Sequence, residues 1–331
     1  MLLGIKGSTP VIACDSSISS LEKMKIGNLD QWILIRGENV NNPIVLFLHG
    51  GPGNAQIGWA PEHQSLLEKS YIVVNWDQRG SGLSYNDGIS EETMNIDQFV
   101  QDAHELTVAL ANRFQKKKIF VVGHSWGSII GMLLIQRYPE LFYSYIGVGQ
   151  SVHLARGEWL SYKFTMDYAE KNKIQEAIDE LTQIGCPPYQ DMLKGLFIQR
   201  KWLNQFGGVV YKHREFFRRT EDTIRDRTEY TDADIVKLRK GNLFSIETMW
   251  AEVLNVNLFQ QIIEVKVPVY FLLGKYDYNT PNEITEEFFN ILNAPSKELI
   301  RFEESAHNIP FEEPERFAVT LRHITAKHFH P

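Results

Sequence analysis

The stretch KIFVVGHSWGSIIGMLLIQRYP, residues 118–139, places a serine between two glycines and joins two apolar runs. The first run is β-branched and aromatic, which is typical of a buried strand, and the second has the length of a helix. The turn between them, GHSWG at residues 123–127, matches the pattern G-x-S-x-G. A serine there takes a strained backbone that exposes its hydroxyl, and side chains at both glycine positions would collide. The stretch therefore predicts a strand, a nucleophile elbow at Ser125 and a helix.

Similar apolar runs recur along the chain and alternate with helical patterns. Runs of Val, Ile, Leu and Phe without a polar alternation are typical of strands that are buried on both faces of a parallel sheet. We expect strands at 31–37, 43–50, 71–80, 118–125, 143–149, 267–274 and 298–304, and helices at 95–114, 126–139, 282–293 and 313–329. This alternation predicts an α/β fold with a mostly parallel central sheet flanked by helices. We expect the first two of these strands, which a short turn joins, to be antiparallel.

One region interrupts the alternation. Between residues 153 and 259 no pair of buried strands is recognisable, and aromatic and charged residues are mixed. This composition favours a helical insertion between two strands of the core. We therefore predict a core formed by residues 1–152 and 260–331, with residues 153–259 as a helical cap over it.

The composition excludes several classes of partner. The 331 residues carry 34 Lys and Arg against 41 Asp and Glu, a net charge of −7, which disfavours a nucleic-acid partner. The two cysteines, Cys14 and Cys186, do not make a disulfide framework and favour a reducing compartment. Apolar runs stay shorter than the roughly 18 residues of a membrane helix. We expect a cytoplasmic protein without a membrane or nucleic-acid partner, and the oligomeric state is left open.

Two later motifs supply the partners that a serine nucleophile needs. A hydroxyl requires a general base, and the base requires an acid that orients it. Asp277 follows the apolar run VPVYFLLG in a turn, and His307 follows the next predicted strand. The chain order serine, acid, histidine is the order of elbow-type hydrolases. We predict Ser125 as nucleophile, Asp277 as acid and His307 as base, with no metal and no cofactor.

A glycine-rich turn provides candidate donors for an oxyanion. The sequence FLHGGPGN, residues 47–54, follows a buried strand, so its backbone N–H groups are available to a substrate. The helix that starts at Trp126 offers another N–H group and the positive end of its dipole. We predict the N–H groups of Gly51 and Trp126 as the oxyanion hole, with Gly50 beside them.

Together these motifs resemble those of the proline iminopeptidase family of α/β-hydrolases. The resemblance rests on HGGPG (49–53), DQRGSGLS (77–84), GHSWGS (123–128), GKYDYNTP (274–281) and SAHNIPFEEPERF (305–317), in family order. It implies an α/β-hydrolase fold and a serine aminopeptidase that removes an N-terminal residue, often proline. It also implies the same roles for Ser125, Asp277 and His307.

Two positions depart from the family pattern. His124 stands where the family commonly has glycine, and Tyr278 stands where several such aminopeptidases have a glutamate that helps to bind the substrate ammonium. Since a desolvated ammonium needs a carboxylate, Glu247 and Glu252, which flank Trp250, are candidate substitutes. We include Trp250 and Tyr278 as further candidate substrate contacts.

These patterns support one leading function and two alternatives. The leading function is a serine hydrolase, an aminopeptidase that forms an acyl-enzyme and releases N-terminal proline or another small residue from short peptides. The first alternative is an esterase, lactonase or amidase that acts on small apolar substrates. The second is a non-catalytic binding protein, which the intact set of predicted catalytic residues disfavours.

Overall fold

The structure, a computed structural model, describes residues 6–212 and 214–329 with all of their side chains except that of Phe217. The ends of the predicted core, residues 1–5, 330 and 331, and His213 of the predicted cap lie outside the described residues. No helix within the described ranges is long and apolar enough to cross a membrane.

The predicted apolar runs become strands of one sheet. The strands of the described residues are β1 (Ile18–Ile26), β2 (Leu29–Gly37), β3 (Ile44–Leu48), β4 (Ile72–Asp77), β5 (Ile119–His124), β6 (Phe142–Val148), β7 (Val269–Gly274) and β8 (Lys297–Phe302). Their order across the sheet is β1-β2-β4-β3-β5-β6-β7-β8. Strands β3 to β8 run parallel to their neighbours, and β2 pairs antiparallel with both β1 and β4.

Helices connect these strands and cover both faces of the sheet. They are α1 (Ala60–Glu68), α2 (Ile96–Arg113), α3 (Trp126–Arg137), α4 (Leu154–Lys171), α5 (Gln175–Ile184), α6 (Met192–Gln205), α7 (Phe216–Asp226), α8 (Asp232–Leu254), α9 (Leu258–Gln261), α10 (Asn282–Ile291), α11 (Ile309–Glu312) and α12 (Pro314–Ala326). Alternate side chains of β3 belong to two different apolar clusters: Leu46 packs in the cluster that contains residues of α2, α3 and α10, and Phe47 in the one that contains α12. The strand is therefore buried on both faces, as its continuous apolar sequence predicts.

The first two predicted strands, β2 and β3, run antiparallel as expected, but they do not pair with each other. Strands β2 and β3 are not neighbours, because β3 has β4 and β5 on its two sides, and the free edge of β4 accepts β2. The sequence also did not indicate β1, whose residues ISSLEKMKI are mostly half-buried or exposed. An edge strand of this kind lacks the continuous apolar run by which the central strands are recognised.

Helices α4 to α9 lie between β6 and β7 in the chain. Helices α4, α5 and α6 share an apolar cluster of their own that includes Ala169, Leu181 and Trp202. Helix α8 contacts the core directly, since Oγ of Ser245 donates a hydrogen bond to the carbonyl oxygen of Gly80 at 3.1 Å. The division into a core and a separate cap of residues 153–259 stays a prediction.

Candidate active site

Ser125 occupies the turn between β5 and α3. Its backbone has φ 54° and ψ −120°, in the left-handed region that residues with a side chain rarely adopt. Its N–H group donates to the carbonyl oxygen of Val148 at 3.0 Å, which ties the turn to the end of the neighbouring strand β6. The sheet therefore stabilises the strained conformation of Ser125. This is the backbone conformation that the G-x-S-x-G pattern predicts.

The glycines on either side of Ser125 are required by contacts of the backbone. A Cβ atom on Gly123 would lie 2.6 Å from the carbonyl oxygen of Gly127. A Cβ atom on Gly127 would lie 2.1 Å from the carbonyl oxygen of Leu48, at the end of β3. Since both distances are far below van der Waals contact, only glycine at these positions lets α3 start so close to the sheet.

Asp277 and His307 form a buried pair at the carboxyl ends of β7 and β8. The distance from Nδ1 of His307 to Oδ2 of Asp277 is 2.8 Å. The other oxygen, Oδ1, accepts the N–H groups of Asn279 and Thr280 at 2.9 and 2.8 Å, and the Thr280 hydroxyl donates to Oδ2 at 2.8 Å. The turn thus holds the carboxylate in one orientation. With Nδ1–H donating to it, Nε2 of His307 is the nitrogen that can accept a proton.

Gly149 shapes the pocket of the His307 ring, and the sequence analysis did not single it out. This residue follows β6 directly and has φ +53°. A Cβ atom there would lie 2.7 Å from Nδ1 of His307 and 3.2 Å from Oδ2 of Asp277. A glycine at the very end of the predicted strand 143–149, in GVGQ, was the available signal.

One cavity of about 300 Å³, here called the catalytic cavity, brings most of the predicted residues together. Ser125 and His307 line it, and Asp277 lies behind His307. The predicted residues that also line it are Gly50, Gly51, Trp126 and Trp250. An acyl group bound in this cavity would lie beside both the hydroxyl of Ser125 and the imidazole of His307.

The glycine-rich loop approaches the elbow closely enough to serve an oxyanion. A Cβ atom on Gly50 would lie 3.2 Å from Cβ of Ser125, and Gly51 has φ +124°, which excludes other residues. Trp126 is the first residue of α3, where backbone N–H groups have no acceptor inside the helix. The loop and the helix start therefore both border the catalytic cavity next to Ser125.

Gln78 links this loop to the elbow, a contact that the sequence did not reveal. Its Oε1 accepts the indole N–H of Trp126 at 2.9 Å, and its Nε2 donates to the carbonyl oxygen of His49 at 3.1 Å. Its backbone N–H donates to Nε2 of His49 at 3.1 Å. Burial lowers the pKa of His49 to about 4, so this ring is neutral and can accept that bond.

Three of the predicted substrate contacts do not line the catalytic cavity. Glu247 is exposed on α8, and Glu252 accepts the backbone N–H of Ile96 at 3.0 Å, where it caps α2. Tyr278 stacks on Phe164 with ring centroids 3.6 Å apart, outside the catalytic cavity. Helical geometry explains why Glu252 does not reach the cavity. It follows Trp250, which lines the cavity, by two residues, and this places it roughly 200° around the axis of the helix.

Glu158 and Arg200 line the catalytic cavity instead. Glu158, on α4, is only 3% exposed, and its Oε1 accepts a hydrogen bond from the guanidinium of Arg200 on α6. Its Oε2 is buried and has no hydrogen-bond partner among the described residues. Burial by itself lowers the pKa of Arg200, but the charge and hydrogen bond of Glu158 outweigh it and raise that pKa. Glu158 thus brings to the wall of the cavity a buried carboxylate with one unused acceptor.

A signal for Glu158 was present but weak. The buried positions of α4 are Gly157, Glu158, Ser161, Thr165 and Ala169, so the glutamate lies in the buried stripe of a helix whose other members are small. A charged residue in such a stripe is rarely buried without a partner. The partner, however, comes from another helix, and the sequence does not show which helix packs there.

Comparisons with known proteins place this geometry in a family. Residues 40–171 match the family model described as "Serine aminopeptidase, S33". A probable aminopeptidase of Bacillus subtilis, YbaC, is 37% identical over 94% of this chain and 98% of its own length. A proline iminopeptidase of Heyndrickxia coagulans is 25% identical over 86% of this chain and 91% of its own.

A solved structure shows the same fold. The proline iminopeptidase-related protein TTHA1809 from Thermus thermophilus superposes with a TM-score of 0.63 over 94% of this chain and 98% of its own, at 19% identity. At that identity the likeness concerns the fold alone. The α/β-hydrolase fold that the sequence motifs imply is confirmed.

Proposed function

Because this chain belongs to the α/β-hydrolase superfamily, with a probable aminopeptidase and proline iminopeptidases among its relatives, we propose that it is a serine aminopeptidase. Ser125 is the nucleophile, His307 the general base and Asp277 the residue that orients the imidazole. The substrate is a short peptide with a free N-terminus, and the first residue released is proline or another small residue.

The proposed reaction proceeds through an acyl-enzyme. Oγ of Ser125 attacks the carbonyl carbon of the first residue while Nε2 of His307 takes the hydroxyl proton. The N–H groups of Gly51 and Trp126 stabilise the oxyanion that forms. His307 then gives the proton to the leaving amine as the C–N bond breaks. Water, deprotonated by the same imidazole, hydrolyses the ester to release the amino acid and free Ser125.

The observation that carries the aminopeptidase assignment is the unused Oε2 of Glu158. A substrate ammonium that enters an enclosed cavity loses its water and requires a hydrogen-bonding carboxylate. Glu158 supplies one in the cavity that also contains Ser125 and His307. We propose that the N-terminal ammonium donates to this oxygen, which would then satisfy two buried groups at once.

Arg200 is the observation that favours the alternative function. Its guanidinium already neutralises the charge of Glu158, so the pair attracts a further cation less strongly than a free carboxylate would. Much of the remaining wall of the cavity is apolar, including Ile129, Leu154, Leu196 and Val253. A small ester, lactone or amide with a hydroxyl or N–H donor would also satisfy Oε2.

Kinetics with three substrate types separate the two functions. We expect proline and alanine anilides with a free amine to be cleaved, and their N-acetyl forms to be cleaved at least 100-fold more slowly. The variant E158Q keeps an acceptor for Arg200 but loses the charge, and we expect kcat/KM for the free-amine anilides to fall about 100-fold, in the range of a lost charged hydrogen bond. A short-chain nitrophenyl ester should be affected much less.

The matched control is E170Q, an exposed glutamate on the same helix as Glu158. It should leave all of these rates at the wild-type value. If the N-acetyl anilides are cleaved as fast as the free-amine anilides, or if only the esters are cleaved, the aminopeptidase assignment is wrong and the esterase or amidase alternative replaces it.

Covalent labelling tests the catalytic serine independently of the substrate. A fluorophosphonate probe should label the wild-type protein and not the S125A variant. If the wild type is not labelled, the protein is not a serine hydrolase of this type. The roles proposed for Asp277 and His307 are then wrong as well.

A further inference from the structure

Two more cavities lie next in line to the catalytic cavity, each sharing lining residues with the one before it. The first, called here the aromatic cavity, measures about 100 Å³ and contains the ring of Trp59 and the side chains of Phe216, Ile224 and Leu238. The second, the outer cavity, measures about 320 Å³ and shares Trp59 and Phe216 with the aromatic cavity. The lining that the aromatic and catalytic cavities have in common is Gly50, Asn54, His124, Asn242 and Asn308. The three cavities are therefore neighbours in a row that starts beside Ser125, here called the path.

The proposed chemistry decides which part of the substrate enters this path. The acyl part carries the ammonium and lies in the catalytic cavity, where Glu158 is. The leaving nitrogen takes its proton from His307, so it lies next to that ring. Asn308, the following residue, lines both the catalytic and the aromatic cavity. The remainder of the peptide therefore leaves the catalytic cavity toward the aromatic cavity.

The walls of the aromatic cavity select an apolar group. Ile224 is 2% exposed and Trp59 is 9% exposed, and Trp59 meets Phe216 edge-on with centroids 5.7 Å apart. Contact of such a wall with an apolar side chain is favourable, because it removes apolar surface from water. A polar side chain would find few hydrogen-bonding groups there. At its inner end Asn54 and Asn242 carry amides that can hydrogen-bond a peptide backbone.

We propose that the aromatic cavity binds the side chain of the second residue of the substrate, the residue after the scissile bond, and that it selects an apolar one. The outer cavity, which includes the charged Glu62 and Arg219, takes the peptide beyond that residue. This inference rests on the proposed function for the direction of the substrate. The enzyme then has specificity on both sides of the bond it cleaves.

The experiment compares prolinamide, Pro-Gly-amide and Pro-Leu-amide as substrates. We expect kcat/KM for Pro-Leu-amide to exceed that for Pro-Gly-amide about 10-fold or more, the size expected for burial of an apolar side chain. The variant T220F places a ring into the aromatic cavity, which Thr220 lines. It should lower the ratio of the Leu to the Gly substrate to about 1. D222F, an exposed change on the same helix, should keep the wild-type ratio.

Equal rates for the Gly and Leu substrates in the wild type would overturn the proposal. So would a T220F variant that loses prolinamide cleavage to the same extent as Pro-Leu-amide cleavage. To separate this from a failure of the aminopeptidase function, acetate esters of methanol and of 2-phenylethanol are measured as well. If peptides are not cleaved but the phenylethyl ester is preferred, the cavity still binds the leaving group and only the aminopeptidase function is wrong. If neither the peptides nor the esters are cleaved, both the aminopeptidase function and the proposed role of the aromatic cavity are contradicted.

Discussion

The imidazole of His124 lies against the imidazole of His307. Their ring centroids are 4.8 Å apart, and Nε2 of His124 lies 3.0 Å from the carbonyl oxygen of His307. Because a carbonyl oxygen only accepts, His124 carries its proton on Nε2 and donates it there. Burial, and next the nearby His307 ring, lower the pKa of His124 to about 3. The residue that departs from the family's glycine is thus a neutral support for the loop that carries the proposed base.

The first prediction concerns stability against pH. The pKa values of His124 and His49 are lower in the folded protein, about 3 and 4, than the ordinary 6.5. The unfolded chain therefore binds more protons below pH 6.5, so these two residues stabilise the fold above that pH and lose this contribution as pH falls toward 4. In H124Q the free energy of unfolding should fall less steeply on acidification than in the wild type, by about 1 kcal/mol per pH unit. This is less than the limit of about 1.4 kcal/mol per pH unit because the ring borders the catalytic cavity.

Urea unfolding at pH values from 4 to 7 measures this difference. The exposed histidine variant H323Q serves as the control and should follow the wild-type curve. Parallel curves for H124Q and the wild type would show that His124 is not a buried neutral group.

The second prediction separates backbone strain from a contact with His307. Gly149 and Gly185 both have positive φ, +53° and +70°, so alanine is strained at either position. An added Cβ atom meets His307 in G149A but finds nothing within 4 Å in G185A. We expect both variants to lose about 1–2 kcal/mol of stability, while only G149A loses kcat, by 100-fold or more. Equal activity of the two variants would exclude the role of Gly149 in placing the imidazole.

The third prediction concerns the link between the glycine-rich loop and the elbow. Q78L removes the acceptor of the Trp126 indole and the donor to the carbonyl of His49. Both proposed oxyanion donors lie on the elements that Gln78 connects, so we expect kcat to fall about 10-fold or more with KM nearly unchanged. Q64L also breaks a buried amide contact, to Asn75, but away from the site. It should reduce stability and leave kcat unchanged, and a kcat loss in Q64L as large as in Q78L would refute the specific role.

The fourth prediction concerns the contact between the predicted cap and core. The hydroxyl of Tyr230 donates to Oδ2 of Asp77, which also accepts the N–H of Leu83 at 3.0 Å. Burial raises the pKa of Asp77 to about 6, so the carboxylate is charged at pH 8 and largely protonated at pH 5. In Y230F we expect a loss of about 1–3 kcal/mol of stability at pH 8 and a smaller loss at pH 5, because the bond is stronger to the charged form.

Unfolding measured at the two pH values tests this prediction. Y85F removes another tyrosine hydroxyl bonded to an aspartate, Asp87, in an exposed contact. It should cost little at either pH. A loss in Y230F that does not depend on pH would mean that Asp77 does not change its charge in this range.

Much of the fold could be predicted because its signals are local. The central strands are buried on both faces, so each is visible as a continuous apolar run. The edge strand β1 was missed because it lacks such a run. The neighbours of β2 were missed because strand order is set by contacts between segments far apart in the chain. The elbow was located by the steric demand for glycine on both sides of Ser125, and the glycine-rich loop by its place after a buried strand.

The residues that line the cavity could not all be predicted from such local signals. Glu247 and Glu252 lie close in sequence to Trp250, yet only Trp250 faces the catalytic cavity. Whether a charge on a helix is buried depends on the rotation of the helix and on the side chain that packs opposite it. For Glu158 that side chain is Arg200, from a helix that follows 42 positions later.

The sequence by itself determined the α/β class of the fold, the strained elbow at Ser125 and the chain order of the residues proposed for catalysis, because glycine spacing and apolar periodicity are properties of neighbouring residues. Only the tertiary structure decided which carboxylate faces the cavity, how His124 supports His307 and where the path past Trp59 leads. Those features arise when segments far apart in the chain pack together, and desolvation of a charge or an aromatic ring is a consequence of that packing.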